Sequence, residues 1–419
     1  MDAQDVIQTA SVLLVLGLIA RLLGDLVHLP EIVLMVTLGV VAGPSGLDIV
    51  DVPLDSIGAQ LILTVGVGFI LFFGGMGLSL RVLGRVRVGL GLLVIPGVVI
   101  TAAVTGAAAA FAFNIPVDVA LLMGAVLAPT DPAILIPLFA RMRVRAKVSQ
   151  TVIAESAFND PTGAILALAI AGVVVTGEVS YTGELESFIR TLVASVAVGI
   201  AVGFALSISV SSNRAGIWRE SPAIAALAAV AAGYFSLETL DGSGYLGAFV
   251  AGLIVGNMDM FGLEMNPRHQ ERLELFTSEL VDVVTMLIFL TLGANLPLDQ
   301  MRDHVGPGLV VIAVLMFVAR PISVYLCTLP DRAAGWTPQE RLFLCWTRET
   351  GVVPAALAGI LIADGVPHAP EIVSVVALAV VATLLVQATT TAWLAARLHL
   401  VESEWAADTA PAVGVVSPP

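Results

Sequence analysis

The chain has 419 residues, of which 58% are hydrophobic and 12% are charged, with a formal net charge of −14 and a mean hydropathy of +0.98. Because a soluble domain carries roughly 25% charged residues, this composition excludes an ordinary soluble protein. The apolar runs are continuous rather than alternating, which also excludes a transmembrane β-barrel.

Apolar runs long enough to cross a bilayer core of about 30 Å recur along the whole chain. The N-terminus lacks the positive charge of a cleaved signal peptide, so we expect the first run to remain as a helix. The sequence therefore predicts an all-α polytopic membrane protein of about 13 transmembrane helices. The predicted spans are residues 6–26, 31–47, 58–80, 88–113, 118–140, 149–176, 188–211, 221–237, 243–258, 279–297, 306–329, 340–363 and 371–398.

Basic residues are distributed unevenly between the two sets of loops. Nearly all lie after odd-numbered spans, and the opposite set holds only Arg190 and Arg302. The positive-inside rule then predicts a multi-pass protein of the cell membrane, with its N-terminus outside and its C-terminus in the cytoplasm. The tail after Leu400 is acidic and contains proline, and its composition is typical of disorder.

Two sequence matches indicate an internal repeat. The run Leu38–Gly43 resembles Leu246–Gly252, and Pro132–Leu135 resembles Pro354–Leu357. Both matches join segments seven spans apart, so the two copies cross the membrane in opposite directions. Such an inverted-topology repeat is typical of secondary transporters.

The first polar interruption lies within span 5, where Pro129 and Pro132 flank Thr130 and Asp131. Each proline removes a backbone donor and clashes with the preceding turn. In lipid, freed backbone is tolerated only where it lines a cavity or is buried in protein. We therefore expect a helix broken into two halves, with Asp131 at a half-helix end. The alternative is a simple proline kink capped by Asp131.

The second polar interruption lies within span 6. Glu155, Ser156, Asn159 and Asp160 have the spacing that places them on one face of a helix. Ionisable groups at membrane depth are costly, so two acids on one stripe point to an ion site. The alternative is a polar stripe used for helix packing.

Two arginines lie deep in apolar runs, Arg320 in span 11 and Arg348 in span 12. Since arginine keeps its proton, each needs a partner, and the acids of span 6 are candidates. The alternative for Arg348 is a position near the cytoplasmic surface, with its side chain extended to water.

These motifs resemble those of the cation–proton antiporter superfamily, and most closely its NhaP-type and eukaryotic Na⁺/H⁺-exchanger branch. The resemblance implies that Asp160 alternately carries the cation and the proton, with Thr130 and Ser156 as further cation ligands. It also implies that Asn159 marks the electroneutral branch and that Arg320 holds Glu155. One departure concerns span 12, where the family commonly has Arg directly before Gly. Here Glu349 and Thr350 separate Arg348 from Gly351, which leaves the roles of Arg348 and Glu349 open.

The resemblance further implies core helices at 81–180 and 301–400, scaffold helices at 1–80 and 181–300, and a tail at 401–419. Spans 5 and 12 are then the crossing broken helices, and the scaffold forms a homodimer. The expected activity is electroneutral exchange of Na⁺ or Li⁺ for H⁺ by competition at Asp160. We expect no cofactor and no nucleic-acid partner.

Three alternatives are weighed against this activity. A K⁺/H⁺ antiporter uses the same ligand types. A cation channel would need neither the inverted repeat nor the competing acid. An intramembrane enzyme is disfavoured, because the chain has no HExxH motif and its histidines lie at span ends or in loops.

Overall fold

The computed structural model describes residues 3–27, 31–50, 52–53, 56, 58–59, 62–177 and 181–401. Within these ranges the fold is almost entirely helical, and the β-pairing is a single isolated bridge between Val144 and Val401. The predicted tail lies outside the described residues beyond Val401.

Each predicted span contains helix at its expected place. The first half of the chain forms α1 (Ala3–Val27), α2 (Glu31–Ala42), α3 (Val67–Met76), α4 (Leu80–Phe113), α5 (Val117–Leu127), α6 (Pro132–Met142), α7 (Ala146–Thr176) and α8 (Tyr181–Val210). The second half forms α9 (Pro222–Glu238), α10 (Gly244–Gly256), α11 (Pro267–Ala294), α12 (Leu298–Thr328), α13 (Pro338–Trp346), α14 (Val352–Ala363) and α15 (Ala369–Arg397).

In the described part of the chain, 7 helices are long and apolar enough to cross a membrane, and shorter apolar helices accompany them. The long ones include α4, α7, α12 and α15, which surround the polar interruptions. The protein is therefore a multi-pass membrane protein, while the number of 13 crossings stays a prediction.

Three long helices contain a π-helical turn. These turns are Leu93–Gly97 in α4, Leu315–Ala319 in α12 and Leu384–Ala388 in α15. The first contains Pro96 and the second ends just before Pro321, so a missing backbone donor accompanies both. Because α4 and α12 are seven spans apart, their π turns fit the inverted repeat.

Two helix pairs related by the repeat pack at very short range, α2 against α11 and α10 against α3. A Cβ atom at Gly39 would overlap the carbonyl oxygen of Leu290, and one at Gly252 would overlap that of Phe72. Only glycine permits these backbone approaches, which are typical of helix pairs in membranes.

The same contacts correct the register of the sequence repeat. Gly43 lies against Ala294, one helical turn beyond Leu290, and Gly256 lies against Met76, one turn beyond Phe72. The structural counterpart of Gly43 is therefore Gly256, whereas the sequence match paired it with Gly252. Apolar sequence between the glycines is uninformative, so the register is visible only through the packing.

Candidate ion-binding site

Two interrupted helices meet near the middle of the fold. The helix is interrupted between α5 and α6, at residues 128–131, and again between α13 and α14, at residues 347–351. The backbone N–H of Asp131 donates to the carbonyl oxygen of Glu349 at 2.9 Å. The break in span 5, which the prolines predicted, is therefore in direct contact with the break in span 12, which the family resemblance implied.

Charged side chains close the helix ends at this crossing. The Asp131 carboxylate accepts a hydrogen bond of 2.7 Å from the backbone N–H of Val352, in the first turn of α14. Arg348 donates to the carbonyl oxygens of Leu127 and Ala128, at 2.7 and 2.6 Å, where α5 ends. An acid thus meets a helix N-terminus and a base meets a helix C-terminus, as the helix dipoles favour.

These contacts decide between two readings of Arg348. Arg348 is only 1% exposed, so its side chain does not extend to a surface of the protein. Its hydrogen bonds go to backbone carbonyls of the other break, and Glu349 is not among its hydrogen-bonded partners.

The polar stripe of span 6 lies on α7 and faces the first break. Glu155, Ser156, Asn159 and Asp160 are all buried, at 2%, 0%, 2% and 4% exposure. The helix continues through Pro161, so the stripe keeps the spacing from which the sequence predicted it.

Thr130 connects the first break to this stripe. Its hydroxyl lies 2.7 Å from the Ser156 hydroxyl and accepts a hydrogen bond of 2.8 Å from the Asn159 amide. The Asn159 side-chain oxygen in turn accepts from the Thr130 backbone N–H at 3.2 Å. Asn159 therefore fixes the position of Thr130, and Ser156 lies one helical turn before Asp160 on α7.

The structure brings Glu155 and Arg320 together as a buried ion pair. The guanidinium donates to both carboxylate oxygens, with Nη2 at 2.9 Å from Oε2. The Arg320 Nε donates to the carbonyl oxygen of Leu344 at 2.9 Å. Arg320 thus joins α12, α7 and α13.

Asp160 differs from Glu155 in having no hydrogen-bond partner for either carboxylate oxygen among the described residues, although both oxygens are buried. A buried charged group without a partner is costly, so this carboxylate needs a proton or a cation. Asp160, Ser156 and Thr130 together offer carboxylate and hydroxyl oxygens, the ligand type that hard cations prefer.

Two further polar groups at the crossing, Thr383 and Gln387, were not predicted from the sequence. Thr383 accepts a hydrogen bond of 3.1 Å from the Thr350 backbone N–H. The Gln387 amide donates to the Trp346 carbonyl oxygen at 2.6 Å. Gln387 is a polar amide in the middle of an apolar run, and this signal was available in the sequence.

The chain is similar to known proteins along nearly its whole length. The family model described as "Sodium/hydrogen exchanger, transmembrane" matches residues 10–397. The K(+)/H(+) antiporter NhaP of Alkalimonas amylolytica is 28% identical over 381 residues, which are 90% of this chain and 64% of that protein. The Na(+)/H(+) antiporter ApNhaP of Aphanothece halophytica is 28% identical over 384 residues, which are 89% of this chain and 70% of that protein.

Among solved structures, the sodium proton antiporter MjNhaP1 of Methanocaldococcus jannaschii at pH 8 is similar with a TM-score of 0.75 and 26% identity. The match covers 95% of this chain and 99% of that chain. The likeness thus extends over both repeats and both interrupted helices.

Proposed function

The chain belongs to the sodium/hydrogen exchanger family, and we propose that it exchanges one monovalent cation for one proton by alternating access, with Asp160 as the shared site. The observation that carries this assignment is a contrast between two acids on the same stripe of α7. Glu155 is engaged by Arg320, whereas the buried Asp160 carboxylate has no hydrogen-bond partner among the described residues.

The proposed cation ligands are the Asp160 carboxylate, the Ser156 hydroxyl and an oxygen of Thr130. Oxygen ligands of this kind suit a small hard cation. Asn159 acts as a positioning residue, because it fastens Thr130 to α7 through two hydrogen bonds. One carboxylate cannot hold the cation and the proton together, so competition at Asp160 is sufficient to couple the two fluxes.

Charge supports one-for-one exchange. Asp160 is neutral when it holds a proton and neutral when it holds a monovalent cation. Asn159 adds no charge, and the charge of Glu155 is offset by the adjacent guanidinium of Arg320. Both crossings of the membrane therefore carry the same net charge.

Na⁺, with Li⁺ as a further substrate, is the first candidate for the cation. K⁺ is the second, and it is favoured by the similarity to the Alkalimonas protein, which is named a K(+)/H(+) antiporter. Proteoliposomes that contain a pH-sensitive dye and an imposed pH gradient are to be challenged with each chloride salt in turn. The cation that dissipates the gradient at the lowest concentration identifies the substrate.

The role of Asp160 is tested in the same vesicles with Asp160→Asn. This change keeps the size of the side chain and removes its charge, so cation-driven proton flux should be lost. Asp118→Asn is the matched control, because Asp118 is an exposed acid at the start of α5. Saturable exchange by Asp160→Asn at more than a few per cent of the wild-type rate would contradict the role proposed for Asp160.

The proposed assembly is a homodimer formed by scaffold helices in 1–80 and 181–300, with the core at 81–180 and 301–400. Packing of α2 on α11 and of α3 on α10 within one group, and of α4 on α5 and α12 on α15 within the other, supports this division. Labelling of single cysteines near each terminus in intact cells tests the proposed orientation, with the N-terminus outside and the C-terminus in the cytoplasm.

A further inference from the structure

Four buried oxygen atoms at the second break have no hydrogen-bond partner in another described residue. They are both carboxylate oxygens of Glu349, the hydroxyl oxygen of Thr350 and the amide oxygen of Gln387. All three residues are 0% exposed. Since buried polar groups in native proteins are nearly always partnered, a cluster of orphaned acceptors needs an explanation.

Two hydrogen bonds hold the backbone of the second break against α15, the helix that carries Gln387. Thr350 is tied to this helix by its backbone bond to Thr383, at 3.1 Å. Trp346 is tied to it by the bond from Gln387, at 2.6 Å. Because Thr383 and Gln387 are four residues apart, they lie on the same face. The segment that carries Glu349 and Thr350 is therefore fastened to that face at both ends.

This arrangement repeats the geometry of the Asp160 site. In the first repeat, the Thr130 backbone N–H donates to a side-chain oxygen of Asn159 on α7, at 3.2 Å. In the second, the Thr350 backbone N–H donates to a side-chain oxygen of Thr383 on α15, at 3.1 Å. Since α15 follows α7 by seven spans, these two bonds join corresponding elements of the inverted repeat.

The charges at the crossing do not balance without a further positive charge. The buried acids there are Asp131, Glu155, Asp160 and Glu349, and the buried bases are Arg320 and Arg348. The exchanged cation or proton offsets one more acid, so one negative charge remains.

Besides Asp160, Glu349 is the buried acid at the crossing whose carboxylate has no hydrogen bond to another described residue. Glu155 is paired with Arg320, and Asp131 caps α14. The charged neighbours of Glu349 are Arg320, Asp131 and Arg348, but none of them is hydrogen-bonded to its carboxylate. A proton or a cation at Glu349 supplies the remaining positive charge.

We propose that Glu349, Thr350 and Gln387 form a second monovalent-cation site, which keeps its ion while Asp160 exchanges. A single cation satisfies the carboxylate, hydroxyl and amide oxygens at once, and oxygen-only ligand sets suit hard cations. The choice of a monovalent cation rests on the function proposed for the Asp160 site. The orphaned oxygens and the charge imbalance are observed independently of that function. A resident ion also leaves the exchange one for one.

Equilibrium binding of radioactive Na⁺ to the purified full chain, and separately of Rb⁺ as a probe for a K⁺-selective site, tests the proposal at about pH 8. The wild type should bind two ions of the preferred cation. Asp160→Asn and Glu349→Gln should each bind one, and the double variant should bind none. Glu264→Gln, at an exposed acid, should behave as the wild type.

The proposal would be overturned if the wild type bound a single ion and Glu349→Gln bound it equally well. That result would indicate that Glu349 is a protonated acid. The Asp160 assignment would survive that result. The converse result is that Asp160→Asn continues to exchange while Glu349→Gln still binds one ion fewer than the wild type. That pair of results would contradict the proposed role of Asp160 and would support the second site.

Thr350→Val keeps the test decisive if Glu349→Gln fails to fold. It removes a hydroxyl oxygen that has no hydrogen-bond partner in the described part of the chain, and it retains the backbone bond to Thr383. Removing an unpartnered buried hydroxyl should not weaken the fold. If the Thr350 hydroxyl is a cation ligand, the Asp160→Asn/Thr350→Val double variant should bind its remaining ion about tenfold more weakly than Asp160→Asn does. Unchanged affinity in that double variant would also overturn the proposal.

Discussion

Asp131 and Val352 join the two interrupted helices through a hydrogen bond of 2.7 Å, from the backbone N–H of Val352 to the Asp131 carboxylate. The acid thus caps the first turn of a helix that belongs to the other repeat. Arg348 makes the complementary contact where α5 ends. The helix ends at the crossing are therefore stabilised by partners that lie more than 200 positions away in the sequence.

Replacement of this cap should lower stability. Asp131→Ala leaves the Val352 N–H without its acceptor, and loss of an N-terminal cap typically costs about 1 kcal/mol. Asp131→Asn keeps a side-chain oxygen and should lose less. The apparent unfolding midpoint of the purified protein in detergent is the measurement. Equal midpoints for the wild type and Asp131→Ala would show that the contact contributes nothing.

The buried pair of Glu155 and Arg320 predicts strong coupling between two substitutions. Removing one partner of a buried ion pair costs about 3–5 kcal/mol, because the other charge is left unpaired. Glu155→Gln and Arg320→Gln should each lower the unfolding midpoint markedly, and the double variant should recover much of the loss.

The matched control is a second double-variant cycle, in which Glu155→Gln is combined with Arg348→Gln instead of Arg320→Gln. Since Arg348 bonds to the carbonyls of Leu127 and Ala128, Glu155→Gln and Arg348→Gln should be closer to additive, as for residues without a direct contact. Recovery in the Arg348 cycle, together with additive losses in the Arg320 cycle, is the result that contradicts the pairing.

Exchange should be insensitive to membrane potential. One acid that holds either a proton or a monovalent cation gives crossings of equal net charge. Flux driven by Na⁺ is to be measured in proteoliposomes with and without a valinomycin/K⁺ clamp, in both polarities. A clear acceleration in one polarity would mean unequal stoichiometry, and would implicate a second exchanging acid such as Glu349.

The close contact of α10 with α3 predicts that Gly252 tolerates no side chain. A Cβ atom in Gly252→Ala would overlap the carbonyl oxygen of Phe72, and overpacking typically costs about 1–3 kcal/mol. Gly91→Ala is the control, because no atom that the Cβ could meet lies within 4 Å of it among the described residues. Alanine is also the better helix former there, so an equal loss in both variants would refute the packing explanation.

The sequence predicted the features that depend on local pattern. Hydropathy located the helices, the prolines around Thr130 located the first break, and helical spacing placed Glu155 and Asp160 on one stripe. These predictions succeeded because each depends on neighbours within about two turns of helix.

The contacts between distant segments could not be predicted in the same way. Nothing local indicates that Arg348 binds the carbonyl of Leu127, or that Asp131 caps α14 rather than its own half-helix. Gln387 stood out as a lone amide in an apolar run, but its partner at Trp346 depends on how α15 packs against the second break. Such partners follow from tertiary packing, which residue periodicity does not encode.

The π turn Leu315–Ala319 has a consequence for which side of α12 faces α7. A π turn contains one residue more than the α-helical turn it replaces, so it shifts the phase of every later residue by about 100°. Arg320 is the first residue after this turn. Deletion of a single residue within the turn would regularise the helix and swing the guanidinium about a quarter of a revolution away from Glu155. The ion pair therefore depends on an extra residue that is itself neither charged nor polar.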